Sequence, residues 1–474
     1  PGPTQILVKI EATGICFSDT KLLHAFTAHP RKGEVRTFLS AEELAGIPSY
    51  VPGDAPTVPG HEACGRVVAV GSEVKHHRVG DRALVQTDYR HMLTAGSIAS
   101  FGYNFEGALQ QSVLMDERVI IDPETGERFL IPVSEEPSAS AVGLLEPWAC
   151  VERAYATEER GTLLAGGALL VVADGGHAIE GLDALIAASA PASITAVADD
   201  EAQKATLSAI GADLAHAVEP LEPASFDDII YFGADPAMIE RLQALLGLKG
   251  VIDIVLGGEQ LGRPVEVDVG RVHYDLTRWV GSTGDSAAEG YARVPATGEL
   301  RPGERVGVIG AAGPMGFMHV VRALTSGVER VSVSAVDIDA DRLEHLASVA
   351  QPLAEAAGLA FEAVDSTGEE PAGAFTRIGC MVPVPAVAAG TVALAAEGAI
   401  IDFFAGFAVG TTVPLDLDQM LAKHVYILGT SGSMISDMQA VLGRLEAGLL
   451  DTNISVYAVS GLRGAGAALD AVKA

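Results

Sequence analysis

Arg305-Val306-Gly307-Val308-Ile309-Gly310-Ala311-Ala312-Gly313-Pro314-Met315-Gly316 is the stretch on which the reading of this 474-residue chain turns. Its first five residues read as a strand closed by glycine, and Phe317 to Ser326 then reads as a helix. Small residues let the backbone approach a pyrophosphate. The helix start adds free N–H groups and the positive end of its dipole. A second strand, Ser334-Ala335-Val336-Asp337, ends on an acid about 20 residues past Gly316, where a carboxylate can accept ribose hydroxyls. A glycine-rich turn alone is a weak signal. Strand, turn, helix and distal acid together point to a dinucleotide site made by Gly310, Ala311, Gly313, Pro314, Met315, Gly316 and Asp337. Asp337 favours NAD, while Arg342 nearby is a group that can accept the 2′-phosphate of NADP.

Working outward, the pattern repeats itself. Ala196-Val197-Ala198-Asp199 followed by Lys204 matches Ser334 to Asp337 followed by Arg342. Phe226-Asp227-Asp228-Ile229 matches Phe375-Thr376-Arg377-Ile378. Gly250 to Asp253 resembles Gly398 to Asp402, Val267-Asp268-Val269 resembles Leu415-Asp416-Leu417, and Gly281 to Gly284 resembles Gly429 to Gly432. The steady offset, roughly 140–150 residues, is about one nucleotide-binding domain. The first copy has a poor phosphate turn, Asp174-Gly175-Gly176-His177-Ala178, because Asp174 sets a negative charge near a pyrophosphate. It reads as a vacant structural copy. The alternative is a second small-molecule site through Gly175, Gly176 and Asp199.

Upstream of the repeat lie potential metal donors. Gly14-Ile15-Cys16-Phe17-Ser18-Asp19 supplies a thiolate, a hydroxyl and a carboxylate. Pro59-Gly60-His61-Glu62 supplies an imidazole and a second carboxylate, and Leu145-Glu146-Pro147 a third. Taken singly, a cysteine is a small core residue and a His-Glu pair is ordinary surface. Together, one Cys, one His and one or two Glu suit a catalytic zinc with an open position, a Lewis acid for an alcohol.

Residues 1–160 and 290–474 resemble the medium-chain dehydrogenase/reductase superfamily in its zinc alcohol and polyol dehydrogenase branch. The resemblance rests on Gly14-Ile15-Cys16-Phe17-Ser18-Asp19, Gly60-His61-Glu62, Gly80-Asp81-Arg82, Glu146-Pro147 and the glycine-rich turn, in that order. The tandem α/β arrangement and Cys16 to Lys21 also bring L-sorbose 1-phosphate reductase-like members to mind. The resemblance implies that Cys16 and His61 ligate zinc and that Glu62 or Glu146 supplies the remaining carboxylate. It implies that Ser18 takes the first proton from the alcohol, and that Asp19 orients His61. Lys21 stands where a relay histidine often occurs, and is expected to touch the substrate or the proton path. The sequence departs from the family pattern in three further ways. Gln86 to Gln111 holds no cysteine, so no structural zinc is expected. Ala25 to Pro56 reads as an extra loop near the substrate. The additional α/β copy is absent from ordinary members. In family dimers Rossmann sheets pair edge to edge, so the first copy is expected to dock on the second as an intrachain pseudo-dimer.

The expected fold is α/β with a β-rich catalytic domain, a GroES-like partly open barrel plus two tandem Rossmann-type units. The expected boundaries are 1–160 for the catalytic domain, 161–290 and 291–445 for the two units, and 446–474 for a segment returning to the catalytic domain. The active site is expected in the cleft between the catalytic domain and the second unit. The function this implies is hydride transfer between a secondary alcohol, polyol or sugar, including a sugar phosphate, and NAD or NADP. Two rivals stand beside it. A zinc hydrolase or lyase leaves the Gly310 turn without a role. A nucleotide-binding sensor or scaffold leaves Cys16, His61 and Glu146 without one. The formal charge of −31 argues against nucleic acid or an anionic membrane as partner. Four cysteines with no Cys-x-x-Cys pair indicate a reducing compartment. No apolar stretch reaches the roughly 18 residues of a membrane span. Pro1-Gly2-Pro3-Thr4 lacks the basic and apolar regions of a secretory signal, so a cytoplasmic location is expected. The expected partners are a small-molecule substrate and a further copy of the chain in a homo-oligomer.

Overall fold

The computed structural model describes residues 1–24, 32–53, 55–94, 97–368, 371, 373–408 and 410–473. The chain divides into two compact units, residues 1–153 with 432–474, and residues 154–431.

Among the described residues the first unit is built on seven strands: β1 (Gln5–Thr13), β2 (Ala63–Val70), β3 (Arg82–Val85), β4 (Asp88–Leu93), β5 (Ile98–Ser100), β6 (Ser112–Asp116) and β7 (Leu130–Pro132). Five of them form an antiparallel sheet in the order β6-β1-β2-β3-β7, while β4 and β5 make a separate hairpin. The alternation in β1 follows from its period of two, with Ile6 and Val8 inside and Lys9 outside. Register shifts between Leu7 and Val8 and between Ile10 and Ala12 bend β1; such bulges increase local twist, as a curling sheet requires. The chain returns to this unit at residue 432, earlier than the expected 446. The cause is the helix Ile435–Glu446, which buries Ile435, Met438, Val441 and Leu442 along one stripe. Its end is tied down where Glu446 accepts from the Ser134 backbone N–H at 3.1 Å and the Ser134 hydroxyl at 2.6 Å. Of the expected extra loop, residues 25–31 and 54 lie outside the described residues. Within the rest, the buried Lys32 ammonium donates to the carbonyls of Val51, Ala55 and Tyr103 and to the Thr57 hydroxyl, at 2.9 to 3.2 Å.

The second unit holds β8 (Ala168–Ala173), β9 (Ser193–Ala198), β10 (Asp213–Leu214), β11 (Phe226–Phe232), β12 (Leu246–Val255), β13 (Val265–Asp268) and β14 (Arg278–Ser282). It continues with β15 (Arg305–Ile309), β16 (Ser332–Asp337), β17 (Ala360–Asp365), β18 (Phe375–Cys380), β19 (Ala395–Phe403), β20 (Thr412–Leu415) and β21 (Tyr426–Leu428). Twelve of these form one sheet in the order β10-β9-β8-β11-β12-β14-β21-β19-β18-β15-β16-β17. Read inward from either edge, the halves are the same: each has its six strands in the doubly wound order 3-2-1-4-5-6. Helices cover the strands on both faces, so their runs are continuously apolar; Leu169 to Val172 and Ile229 to Phe232 are all buried. The two α/β copies, expected as tandem units with the first docked on the second, share one sheet and one compact body.

Candidate active site

The end of β1 runs through Gly14 and Ile15 to Cys16 and into the helix Phe17–His24. Asp19, in its first turn, is fully buried and reaches back so that its Oδ2 accepts from the Cys16 N–H at 2.9 Å. Its Oδ1 accepts from the Gly60 N–H at 3.0 Å and pairs with His61 Nδ1 at 3.1 Å. One carboxylate thus fixes the backbone beside one candidate ligand and the ring of another. With Nδ1 committed to Asp19, Nε2 is the nitrogen left for a metal, and the Ser18 Oγ lies 3.4 Å from it. The His61 carbonyl accepts from the Thr87 hydroxyl at 2.7 Å, and the Glu62 carbonyl accepts from the Gly14 N–H at 2.8 Å. Gly60 adopts φ 95°, and a side chain there would press on the backbone of Leu109 at 2.9 Å, so only glycine delivers His61 in this pose.

One ligand atom each from Cys16, His61 and Glu62 lies within 4.8 Å of the others, and these three are the one such group among the described residues. Thiolate, imidazole and carboxylate suit zinc. Gly14 leaves the space that the Glu62 carboxylate occupies, since a Cβ there would collide with Glu62 Oε2. Burial pushes the Glu62 carboxyl up to about 8; His61 opposes this and the charge of Glu146 adds to it. For His61, burial disfavours the charged ring, but Asp19 more than offsets this and holds its pKa well above the ordinary value. Asp19 is held below the usual range in spite of its burial by His61 and the two backbone donors. A carboxylate that resists ionising thus sits beside an imidazole that keeps a proton.

Glu146, buried at the start of the helix Leu145–Ala156, stands outside that closest trio, although Glu62 feels its charge. The Cys150 thiol, one turn on, lies 3.6 Å from Glu146 Oε1. Lys21 does not join the cluster. It is exposed, with its ammonium 5.6 Å from the centre of the Phe17 ring, because one helical turn carries it beside Phe17 and away from Asp19. The roles of Gly14 and Thr87 went unassigned in the sequence, since each acts through a contact distant in the chain.

In the second unit, Gly310 to Gly316 links β15 to the helix Pro314–Leu324. Three glycines have separate jobs. Gly310 turns the chain at φ 83°. Gly316 lets the helix pack on the turn, since a Cβ there would strike the Gly310 carbonyl and the Ala311 Cα. Gly313 has nothing but the Gly310 carbonyl, at 3.6 Å, near its would-be Cβ, which leaves its outer side open. A cavity of about 720 Å³ lies here, lined by Gly310, Gly313, Pro314, Met315, Gly316, Asp337 and Arg342 among others. Ala311 is buried beneath the turn. The Asp337 carboxylate is held at the cavity by N–H groups of Ala312, Ile338 and Asp339 at 2.8 to 3.2 Å. Arg342 pairs with Asp339 at 3.3 Å.

The matching turn of the first half is braced by side chains of its own half, around the open Gly175 and Gly176. The Gln203 side chain donates to the carbonyls of Asp174 and His177 at 2.7 and 2.8 Å. The Tyr231 hydroxyl donates to the Asp174 carboxylate, and it also accepts from the Asp235 N–H at 2.9 Å.

Residues 2–124 match the alcohol dehydrogenase GroES-like domain. The chain is 25% identical over 349 residues to the uncharacterized protein YggP of Escherichia coli K12, covering 65% of this chain and 75% of that protein. It is 36% identical over 86 residues to sorbitol dehydrogenase of Ovis aries, a stretch that covers 18% of each chain. Among solved structures it resembles an alcohol dehydrogenase zinc-binding domain protein from Burkholderia ambifaria at a TM-score of 0.51 and 13% identity, covering all of this chain and 90% of that one. A GroES-like domain joined to a Rossmann sheet defines an oxidoreductase of the alcohol dehydrogenase class. By these likenesses the chain is similar to the zinc-type alcohol and polyol dehydrogenases of the medium-chain dehydrogenase/reductase superfamily. No helix among the described residues is long and apolar enough to cross a membrane.

Proposed function

We propose that this protein transfers hydride between a secondary alcohol or polyol and NAD, using one catalytic zinc per chain held by Cys16, His61 and a carboxylate from Glu62 or Glu146. The observation that carries this reading is the convergence of Cys16, His61 and Glu62, with His61 oriented by the buried Asp19. The donor set fits the metal, and Gly14 makes room for the Glu62 carboxylate. Zinc, when bound, draws electron density from a substrate oxygen and makes a hydroxyl proton easier to remove. The nicotinamide, when bound, accepts or returns the hydride. Ser18 stands on the Nε2 side of His61 and would receive the hydroxyl proton while handing its own proton on to solvent water. Asp19 keeps the His61 ring in one tautomer and one orientation, so that Nε2 stays free.

Gly310 to Gly316 would receive the pyrophosphate, with Gly313 allowing close approach. Asp337 would accept the ribose hydroxyls and repel a 2′-phosphate; Arg342, turned to Asp339, does not offset it, which favours NAD over NADP. Simple secondary alcohols, polyols and sugar phosphates are the substrates to compare.

The test is metal content and turnover on that panel with both cofactors. The expected result is one zinc per chain, NADH formation that a chelator abolishes and zinc restores, and loss of both metal and turnover in Cys16→Ser. Full turnover in the metal-free protein, or two zinc ions per chain, would contradict the reading.

A further inference from the structure

We infer that the two α/β halves are a two-fold dimer built into one chain, in which the first half is a resident partner that carries no dinucleotide and permanently occupies the sheet edge of the second. The register of the strands at the junction carries this. All pairings inside each half are parallel, but β14 and β21 meet antiparallel at Trp279 and Ile427. The shift that aligns Gly281 with Gly429 makes Trp279 and Ile427 each other's equivalents. A strand that faces its own copy, residue against the same residue, lies on a two-fold axis.

The second junction agrees. β13 and β20 pair antiparallel with Val265 opposite Leu415, Glu266 opposite Pro414 and Val267 opposite Val413. Under the shift that aligns Val267 with Leu415, Glu266 faces its own equivalent. Val265 and Val267 face each other's equivalents, which is the reciprocal pattern of an isologous contact. Packing repeats it. Gly281 lies where a Cβ would press on Leu421 of the other half, and Gly429 where a Cβ would press on Val272 and His273. Leu421 and His273 are equivalent positions.

The symmetry is broken in two places, and the first break ties the halves to each other. At the axis the equivalents Arg278 and Tyr426 have diverged, and both bind the one buried carboxylate of Glu159, Arg278 through two bonds of 2.7 and 2.9 Å. Two copies of either half would set two arginines or two tyrosines there, so this junction suits one of each. The nucleotide turns have diverged as well. Gln203 and Tyr231 bind the backbone and side chain of the first turn, while the second opens on its cavity.

The proposal rests on the dinucleotide reading for its stoichiometry but not for its pairing, and two measurements separate them. In the full chain, Glu266→Cys with Pro414→Cys is oxidised and run under non-reducing, denaturing conditions. A disulfide within single chains is expected. A double-mass product, or no disulfide, overturns the built-in dimer. NADH is then titrated calorimetrically into the wild type and into Gly313→Asp. One site per chain, lost entirely in the variant, is expected. A second site that survives Gly313→Asp overturns the vacancy of the first half. No binding by the wild type would instead refute the dinucleotide reading, leaving the disulfide to judge the pairing.

Discussion

Replacing Asp19 by asparagine should weaken zinc binding by about 10- to 100-fold, or about 1.4 to 2.8 kcal/mol. The carboxylate has three donors: the Cys16 N–H on one oxygen, the Gly60 N–H and His61 Nδ1 on the other. An amide keeps a single acceptor. If its oxygen faces Gly60 and His61, its NH₂ meets the Cys16 N–H, leaving a buried donor unpaired at a cost of about 1–3 kcal/mol. Either orientation also removes the charge that fixes His61. The pH dependence gives a second reading. In the metal-free wild type Asp19 raises the His61 pKa, and Glu62 titrates at about 8, so protons compete with the metal at both ligands. The raised His61 pKa means that its pairing with Asp19 stabilises the metal-free fold at low pH, and that this is lost as pH rises through that pKa. Asparagine relieves the proton competition at His61. The deficit of the variant should therefore be widest above about pH 8 and shrink as pH falls. Competition against a zinc indicator from pH 6 to 9, with circular dichroism to confirm the fold and Lys21→Ala as a control, measures both. An Asp19→Asn variant that is folded and binds zinc as tightly as the wild type would refute the reasoning.

Gly14→Ala should lower zinc affinity by roughly tenfold or more, because the new methyl takes the place of the Glu62 carboxylate; zinc titration of the folded variant measures it. Asp337→Ala should raise kcat/KM with NADP relative to NAD by roughly tenfold, since the repelling carboxylate is gone, and an unchanged ratio would mean that Asp337 does not set cofactor choice. Asp402→Asn should stabilise the protein increasingly with pH. Burial, opposed by Arg377 and Arg278, lifts the Asp402 pKa from 3.8 to about 7, and its carboxyl oxygens lack hydrogen-bond partners at ordinary geometry. The wild type therefore loses about 4 kcal/mol between pH 4 and 7 that the variant does not. Denaturant midpoints of the two proteins that run parallel across that range would count against it.

The local signals in the sequence were sufficient for the elements and for much of the site. The glycine turn and Asp337 marked out the candidate dinucleotide site, and the matched segments gave two halves of equal topology, because each signal is carried by neighbours in the chain. Cys16, Ser18 and Asp19 also fell within one helical turn, so their grouping was legible. Contacts between distant segments were not. That Cys16, His61 and Glu62 meet while Glu146 stands back depends on Gly14 and Asp19 packing against residues some forty positions away. Lys21 read as a cleft residue because it follows Cys16 closely, yet helix geometry turned it to Phe17. The repeats announced two units, but only strand register could show that each half meets its own equivalent in a single sheet. Backbone pairing across an edge leaves no mark on the residues that flank it in sequence; it is decided when side chains from both halves, such as Arg278 and Tyr426 on Glu159, must satisfy one another in the same buried space.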